Sequence, residues 1–389
     1  MDFRDTPQEA EVRAEAAAWL DETLPQLPND TEGTHEERLA NSRWWQERLH
    51  DGGWAGITWP EEYGGRGLTI VYEAIFNEEA AKRDAPTPLN LLGTILAGPT
   101  ILVHGTEEQK HRFLPPMLSG EEIWCQGFSE PGAGSDLAGL RSRAEQVEGG
   151  WVVSGQKVWT SFAHAAERCM LLARTGPAPD AENGESKHAG ITYFLADMSD
   201  VEVRPLVMIN GEADFNELFL NDVPVSEDEV LGGVGNGWKV ALTTLAFERG
   251  SLAFSLSATA RRILDALVDR AIETGASDDP VVLDRLAAFH AEAEALRIGT
   301  VRQMSAVSAG RMPGAEGSAL KLSWAQLMQG MTRLALDLGA PESITFDRQP
   351  NGRWGRGYLR ARGNSVEGGT DEIQRSIIAE RVLGLPRSR

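Results

Sequence analysis

Up to about residue 122, apolar positions recur at helical spacing, in runs that open on a hydroxyl and close on glycine or proline. Thr6-Pro7-Gln8-Glu9 reads as a capping box with proline at the first helical position. Val12, Ala16, Trp19 and Leu20 then form one stripe that Pro25 stops. Thr34 with Glu37 opens a second helix ending near Gly52-Gly53, and Thr69 opens a third that stops before Pro86. A fourth, strongly apolar helix runs over residues 90–104, and Thr106 with Gln109 caps a fifth that should break at Pro115-Pro116.

The texture changes at Ile123. Over residues 123–225 the stripe gives way to short β-rich runs such as Trp151-Val152-Val153, Cys169-Met170-Leu171-Leu172, Ile191-Thr192-Tyr193-Phe194-Leu195 and Leu218-Phe219-Leu220. Glu148-Gly149-Gly150 has the form of a hairpin turn, and the polar run 176–190 that of a surface loop without evident chemistry. Such spacing suits a small antiparallel barrel or sandwich. Gly232-Gly233-Val234-Gly235-Asn236-Gly237 is a hinge-like joint, after which helical periodicity resumes to about Thr274 and again over 279–309, 316–338 and 371–383. Four C-terminal helices of this kind pack as a bundle. The expected fold is α+β: an all-helical domain over 1–122, a β-domain over 123–234 and a helical bundle over 235–389.

Composition narrows the function. A formal charge of −21 disfavours nucleic acid as a partner, because phosphate contacts need a basic surface. No apolar run approaches the ~20 residues of a membrane helix, and the N-terminus lacks the basic-then-apolar order of a signal peptide. The two cysteines, Cys125 and Cys169, make no disulfide framework and have no metal-ligand spacing, so a reducing cytoplasm is the expected location.

Three motifs carry the candidate chemistry. In Gly127-Phe128-Ser129-Glu130-Pro131-Gly132-Ala133-Gly134-Ser135-Asp136, two glycines without Cβ atoms let backbone N–H groups approach an anion or a flat ring. Read alone, the run is better taken as a glycine-rich surface turn. Downstream stand Lys157-Val158-Trp159-Thr160-Ser161, at the end of a strand-like run, and Glu367-Gly368-Gly369-Thr370-Asp371-Glu372-Ile373-Gln374-Arg375. In this order and spacing the three resemble the acyl-CoA dehydrogenase family of flavoproteins. The resemblance extends over nearly the whole chain, from Gly53-Trp54 and Glu62-Tyr63-Gly64-Gly65 through His104-Gly105-Thr106-Glu107-Glu108-Gln109-Lys110 to Ile377-Ile378-Ala379-Glu380-Arg381-Val382-Leu383-Gly384.

The resemblance implies an FAD cofactor between the β-domain and the bundle. Gln126, Phe128 and Ser129 would line the isoalloxazine, Trp159 would lie beside it, and Ser161 would hydrogen-bond near N5. Ser135 would touch the pyrophosphate and the substrate, with Thr370 and Glu372 also on the cofactor. Trp159 has a plainer reading as a core aromatic closing the β-domain. The implied reaction is α,β-dehydrogenation of an acyl-CoA: a base removes the α-proton as the β-hydrogen leaves as hydride to flavin N5. Where many relatives carry the catalytic glutamate, this chain has Gly368, with Glu367 one residue early. A second family position, a glutamate before an arginine on the first bundle helix, is matched by Glu248-Arg249, so Glu248 is the expected base, and Arg249 would position the thioester or hold Glu248 in place. By helical spacing alone both are ordinary charges on a solvated face.

The family's Arg-x-x-Phe-Gly and Gly-Gly segments, which reach a neighbour's cofactor, are not matched by Glu273-Thr274-Gly275-Ala276-Ser277-Asp278-Asp279-Pro280 or Leu338-Gly339-Ala340-Pro341. Implied partners are an acyl-CoA substrate from fatty acid or lipid metabolism, an electron-transfer flavoprotein as acceptor, and further subunits in a homodimer or homotetramer, or a heteromer. Two alternatives stand beside the dehydrogenase: a non-catalytic or half-site subunit of a heteromeric enzyme, and an oxidase or monooxygenase on the same fold.

Overall fold

A computed structural model describes residues 4–28, 35–176, 186–311, 314–339 and 353–386. Thr34, most of the 176–190 run and Ala340-Pro341 lie outside them. The helices preceding the sheet are α1 (Pro7–Thr23), α2 (His35–Asp51), α3 (Ile70–Lys82), α4 (Gly98–His104) and α5 (Glu107–Ser119). The strands are β1 (Trp124–Gly127), β2 (Arg143–Val147), β3 (Gly150–Ser161), β4 (Arg168–Arg174), β5 (Ile191–Asp197), β6 (Glu202–Leu206), β7 (Phe215–Ser226) and β8 (Val230–Leu231). The chain closes with α6 (Gly237–Glu273), α7 (Pro280–Ser308), α8 (Gly317–Asp337), α9 (Arg353–Arg360) and α10 (Asp371–Ile377). Its contacts form two units, one of Met1–Gln26, Leu68–Ala85 and Glu248–Arg389, the other of Leu27–Gly67 and Pro86–Phe247.

In the first unit, α1 begins as its sequence requires. Thr6 Oγ1 accepts from the Glu9 N–H, and Glu9 Oε2 accepts from the Thr6 N–H at 2.6 Å. Val12, Ala16 and Leu20 are buried along one face, and the helix yields to a 3₁₀ turn at Pro25. Its partner α3 carries Glu79, only 5% exposed, which accepts hydrogen bonds from Arg13 of α1 (2.9 Å), Lys82 (2.6 Å) and Arg83 (2.7 Å). Burial raises the Glu79 pKa, but those three cationic donors outweigh it and hold the carboxyl at about 2. The bundle core is drawn from α6, α7 and α8, including Leu264, Leu267, Leu296, Leu327 and Met331, with Trp354 of α9. No sequence signal marked α9. Its Arg353-Trp354 start follows a stretch without helical periodicity.

In the second unit, the fifth helix corrects one expectation: α5 runs through Pro115 and Pro116 to Ser119 and ends at Gly120, whose φ of 84° is the left-handed cap. Each internal proline costs about 3 kcal/mol. Phe113, Leu114, Met117 and Leu118 are all buried on that turn, at roughly 1.5–3 kcal/mol each, which is enough to keep it helical. The apolar fourth helix contains a π-helical turn (Gly93–Ala97) before α4. Fully buried Asn90, at its head, donates to the carbonyls of Met117 (2.7 Å) and Glu122 (2.9 Å) and accepts from the Trp124 N–H (2.8 Å). One side chain thus ties the end of α5 to the start of β1.

All eight strands join one sheet, ordered β6-β7-β3-β2-β4-β5-β8, with β1 beside β4. The sheet is antiparallel except that β1 runs parallel to β4 and Arg143 of β2 pairs parallel with Arg174 of β4. The departure follows from the glycine loop. Strand β4 already has β5 along one edge, so β1 and β2 share the other, and residues 128–142 must leave the sheet between them. Cys125, Trp151, Val153, Leu171, Phe194, Leu218 and Val223 point from successive strands into a single core.

The Glu79 cluster gives a pH-dependent prediction. The folded carboxyl titrates at about 2, against 4.5 ordinarily, so its contribution is complete above pH 4.5 and is lost as pH falls towards 2. Glu79→Gln should therefore lower unfolding free energy near neutrality by about 3 kcal/mol, and the gap from wild type should close across that acid window. Paired denaturant titrations from pH 7 to 2.5 test this; a gap that is constant with pH would refute it.

Candidate functional site

Two groups of sequence-predicted residues are gathered locally, one in each unit. The first stands where β1 leaves the sheet. The Ser129 carbonyl accepts from the Val158 N–H at 2.9 Å, so the loop after β1 is bonded to the end of β3. The loop then turns on itself through paired backbone bonds between Glu130 and Ala133, both 3.0 Å.

A buried ion pair fastens this arrangement. Lys157 of β3, 0% exposed, donates to Glu130 Oε1 (2.8 Å) and to the Phe128 carbonyl (3.3 Å). Glu130 also accepts from the N–H groups of Arg141 (2.6 Å) and Ser142 (2.9 Å) and from the Ser142 hydroxyl (2.7 Å). Burial raises the Glu130 pKa, but Lys157 and the Ser142 donors outweigh it and leave the carboxyl below its ordinary range. Burial pulls the Lys157 ammonium down, and Glu130 offsets only part of that. Four donors on one carboxylate keep the pair ionised. Glu130 and Lys157 lie inside two of the sequence motifs, and a site reading that looked for ligand contacts passed over them. The available signal was one charge of each sign in two segments that must meet.

On this frame Gln126 is half-buried, and its Nε2 is buried without a hydrogen-bond partner. The Phe128 side chain turns inward, edge-on to Tyr193 at 5.7 Å, so what it can offer a ligand is its backbone. Trp159 is not a core aromatic. It is 61% exposed, the most exposed aromatic side chain among the described residues, with Phe215 edge-on at 6.1 Å. Its φ of 61° is rare for a bulky residue, and a bulge between Lys157 and Thr160 turns it out of the ladder. Ser161, two residues on, is half-buried, as is Ser129, whose carbonyl bonds the Val158 N–H just before Trp159. Ser135 is exposed at the far end of the loop, next to Asp136, which pairs with Lys187 at 2.6 Å. A Cβ built on Gly132 or Gly134 would meet no protein atom within 4 Å, and neither glycine has a positive φ. The fold itself therefore does not demand glycine at either position.

The second group surrounds the turn before α10. Gly368 and Gly369 both have positive φ, 62° and 90°, which side chains rarely tolerate. Lys321 Nζ of α8 donates to the Gly369 carbonyl at 2.8 Å, and Gln374 Nε2 donates to that of Gly368 at 2.6 Å. Thr370 caps α10 by accepting from the Ile373 N–H at 3.3 Å. The α10 backbone N–H and Thr370 hydroxyl hold the exposed Glu372 carboxyl below its ordinary range.

Glu248 of α6 and Glu367 have different surroundings. Glu248 Oε1 lies 3.2 Å from the position a Cβ on Gly368 would take. Glu367 is drawn away by Arg360, which donates to both its oxygens at 3.1 and 2.8 Å. Arg249 follows Glu248 on the α6 backbone. Lys321 and Gln374 were not singled out from sequence, though a lysine within the buried stripe of Ser318, Ala325 and Met328 is the kind of departure that marks a role.

Models of the acyl-CoA dehydrogenase N-terminal, middle and C-terminal domains match residues 6–121, 125–223 and 235–383. Acyl-CoA dehydrogenase IpdE1 of Mycobacterium tuberculosis is 41% identical over 384 residues, covering 97% of this chain and 98% of the relative. A solved structure described as the Tcur3481-Tcur3483 steroid ACAD is 29% identical with a TM-score of 0.86, each chain covered in full. The ChsE4-ChsE5 complex from Mycobacterium tuberculosis contains a chain 31% identical with a TM-score of 0.83, again with both covered in full. The chain belongs to the acyl-CoA dehydrogenase family of oxidoreductases.

Proposed function

We propose that this chain is an FAD-dependent acyl-CoA dehydrogenase whose catalytic base is Glu248. The supporting observation is the 3.2 Å between Glu248 Oε1 and the Cβ position of Gly368. A carboxylate arriving from α6 occupies the space that a side chain at residue 368 would enter. Glu367, one residue away in sequence, is engaged by Arg360.

The residues of the second unit fit a flavin. The unpartnered Gln126 Nε2 wants an acceptor, Trp159 presents an aromatic surface, and the open side of Gly132 and Gly134 admits a phosphate close to backbone N–H groups. Gln126, Ser129, Trp159, Ser161 and the Phe128 backbone would hold the ring, and Ser135 the pyrophosphate and the near end of the substrate. Thr370 and Glu372 would complete the cofactor contacts. When bound, the flavin supplies the acceptor for a hydride from the substrate β-carbon. The chain's own task is to bind the thioester and take its α-proton onto a Glu248 carboxylate oxygen, with Arg249 orienting the thioester.

We propose further that the acyl group is bulky and ring-bearing, since one relative of 29% identity is described as a steroid ACAD. The description of ChsE4-ChsE5 as a complex supports a related partner chain, and an electron-transfer flavoprotein would take the electrons onward.

Glu248→Gln should slow flavin reduction by an acyl-CoA 10²–10⁴-fold, about 3–5 kcal/mol of barrier, at near-normal flavin content. Glu367→Gln should stay within a few-fold of wild type in the same rapid-mixing assay. The opposite ranking would move the base to the C-terminal turn. Gly134→Ala should leave the unfolding of flavin-free protein within about 0.5 kcal/mol of wild type and weaken FAD binding at least tenfold. Equal FAD affinity in an equilibrium titration would show that this loop does not hold the cofactor. Among CoA thioesters, kcat/KM for a steroid-derived acyl group should exceed that for butyryl or palmitoyl by at least about tenfold. A straight-chain preference would remove the substrate assignment.

A further inference from the structure

We propose that Lys321 is a positioning residue for the base: it fixes the Gly368-Gly369 turn and supplies the positive charge that keeps Glu248 ionised. The inference rests on the reading of Glu248 given above.

The argument starts from where the lysine stands. Lys321 is 9% exposed and lies in the buried stripe of α8 with Ser318, Ala325, Met328 and Thr332. A lysine there gives up most of its hydration, so it has to be compensated locally. Its Nζ donates to the Gly369 carbonyl at 2.8 Å and stands 3.9 Å from Asp371 Oδ1, a buried oxygen with no hydrogen-bond partner of its own. Among the described residues, the charges that act on it most strongly are Asp371, Glu367, Glu248 and Glu372, all carboxylates. Glu367 is already neutralised by Arg360, and Glu372 is exposed at the start of α10.

Glu248 and Lys321 both come up to the glycine turn. Lys321 Cε is 3.8 Å from the Cβ position of Gly368, and Glu248 Oε1 is 3.2 Å from the same point. The turn has no side chain at either glycine and left-handed backbone at both, so it has to be held from outside. Lys321 holds it by the Gly369 carbonyl, and Gln374 by the Gly368 carbonyl with a longer bond of 3.3 Å to that of Gly369. A cation beside a carboxylate favours its charged form, the form a base must have before it accepts a proton. Burial lowers the Lys321 pKa while the four carboxylates oppose that fall, in keeping with a cation retained for its neighbours.

The test compares flavin-loaded wild type with Lys321→Met and Lys321→Gln. One readout is the acid limb of the pH profile for flavin reduction by an acyl-CoA. The other is amide hydrogen exchange in peptides spanning residues 366–372. Lys321→Met should move the acid limb up by about one pH unit. Below the limb kcat should fall about tenfold with KM little changed, and exchange in the turn should quicken at least tenfold. Lys321→Gln retains a donor for the Gly369 carbonyl without the charge, so its limb should move equally while exchange stays nearer wild type. It also carries the test if Lys321→Met does not fold. A limb that stays in place in the folded variants, while Glu248→Gln abolishes fast reduction, overturns the proposal and leaves the base assignment standing. Uniformly lower flavin content with an unmoved limb is the mark of a merely structural lysine and overturns it too. If Glu248→Gln reduces normally, the base reading itself has failed, and wild-type exchange in Lys321→Met then overturns the anchoring role as well.

Discussion

An ammonium group with no surface in contact with water must find its compensation inside the protein, and the β-domain is arranged around that need. Lys157 cannot be solvated, so Glu130 has to be within reach, and Glu130 in turn collects the backbone of Arg141 and Ser142. Removing either partner would strand a buried charge, a loss of the order of 3–5 kcal/mol. The consequence is geometric. The glycine loop and the Trp159 segment are bound into one object by a 2.8 Å contact, and their relative position does not depend on any ligand.

At the other candidate centre the same economy of charge is solved differently. What matters for proton abstraction is where a carboxylate oxygen sits, and the chain can deliver it from α6 as well as from the turn before α10. With glycine at 368 the turn carries no side chain to obstruct Glu248, and the positive φ there disfavours adding one. The backbone is then free to be tied down by its carbonyls. The interest of the site lies in this division of labour: one helix brings a carboxylate, another brings a cation, and the turn between them contributes shape.

Much of this was legible in sequence, for identifiable reasons. The capping boxes at Thr6 and Thr106 are local, so their hydrogen bonds could be written from spacing alone. The Glu148-Gly149 hairpin and the start of α6 after the glycine joint were equally plain. The continuation of α5 through two prolines was not, because it depends on burial that only tertiary packing supplies. The exposure of Trp159 was hidden too, since a tryptophan in a strand-like run has the same local signature whether it faces in or out. The site was readable as a set of residue types and unreadable as an arrangement. Nothing in the spacing says that Glu248 comes to Gly368, or that Glu367 is held by Arg360.

The two prolines of α5 also have a kinetic meaning. Every peptide bond described is trans, yet in an unfolded chain each X-Pro bond is cis in roughly 10–30% of molecules and interconverts over tens of seconds or more. A cis bond at Leu114-Pro115 or Pro115-Pro116 cannot be accommodated in a continuous helix. Among chains that have stayed unfolded long enough for these bonds to equilibrate, a sizeable fraction therefore has to wait before Leu114 and Met117 can be buried and Asn90 can find the Met117 carbonyl. Because β1 is tied to that same asparagine through the Trp124 N–H, the isomer state of a helix reaches the edge of the sheet.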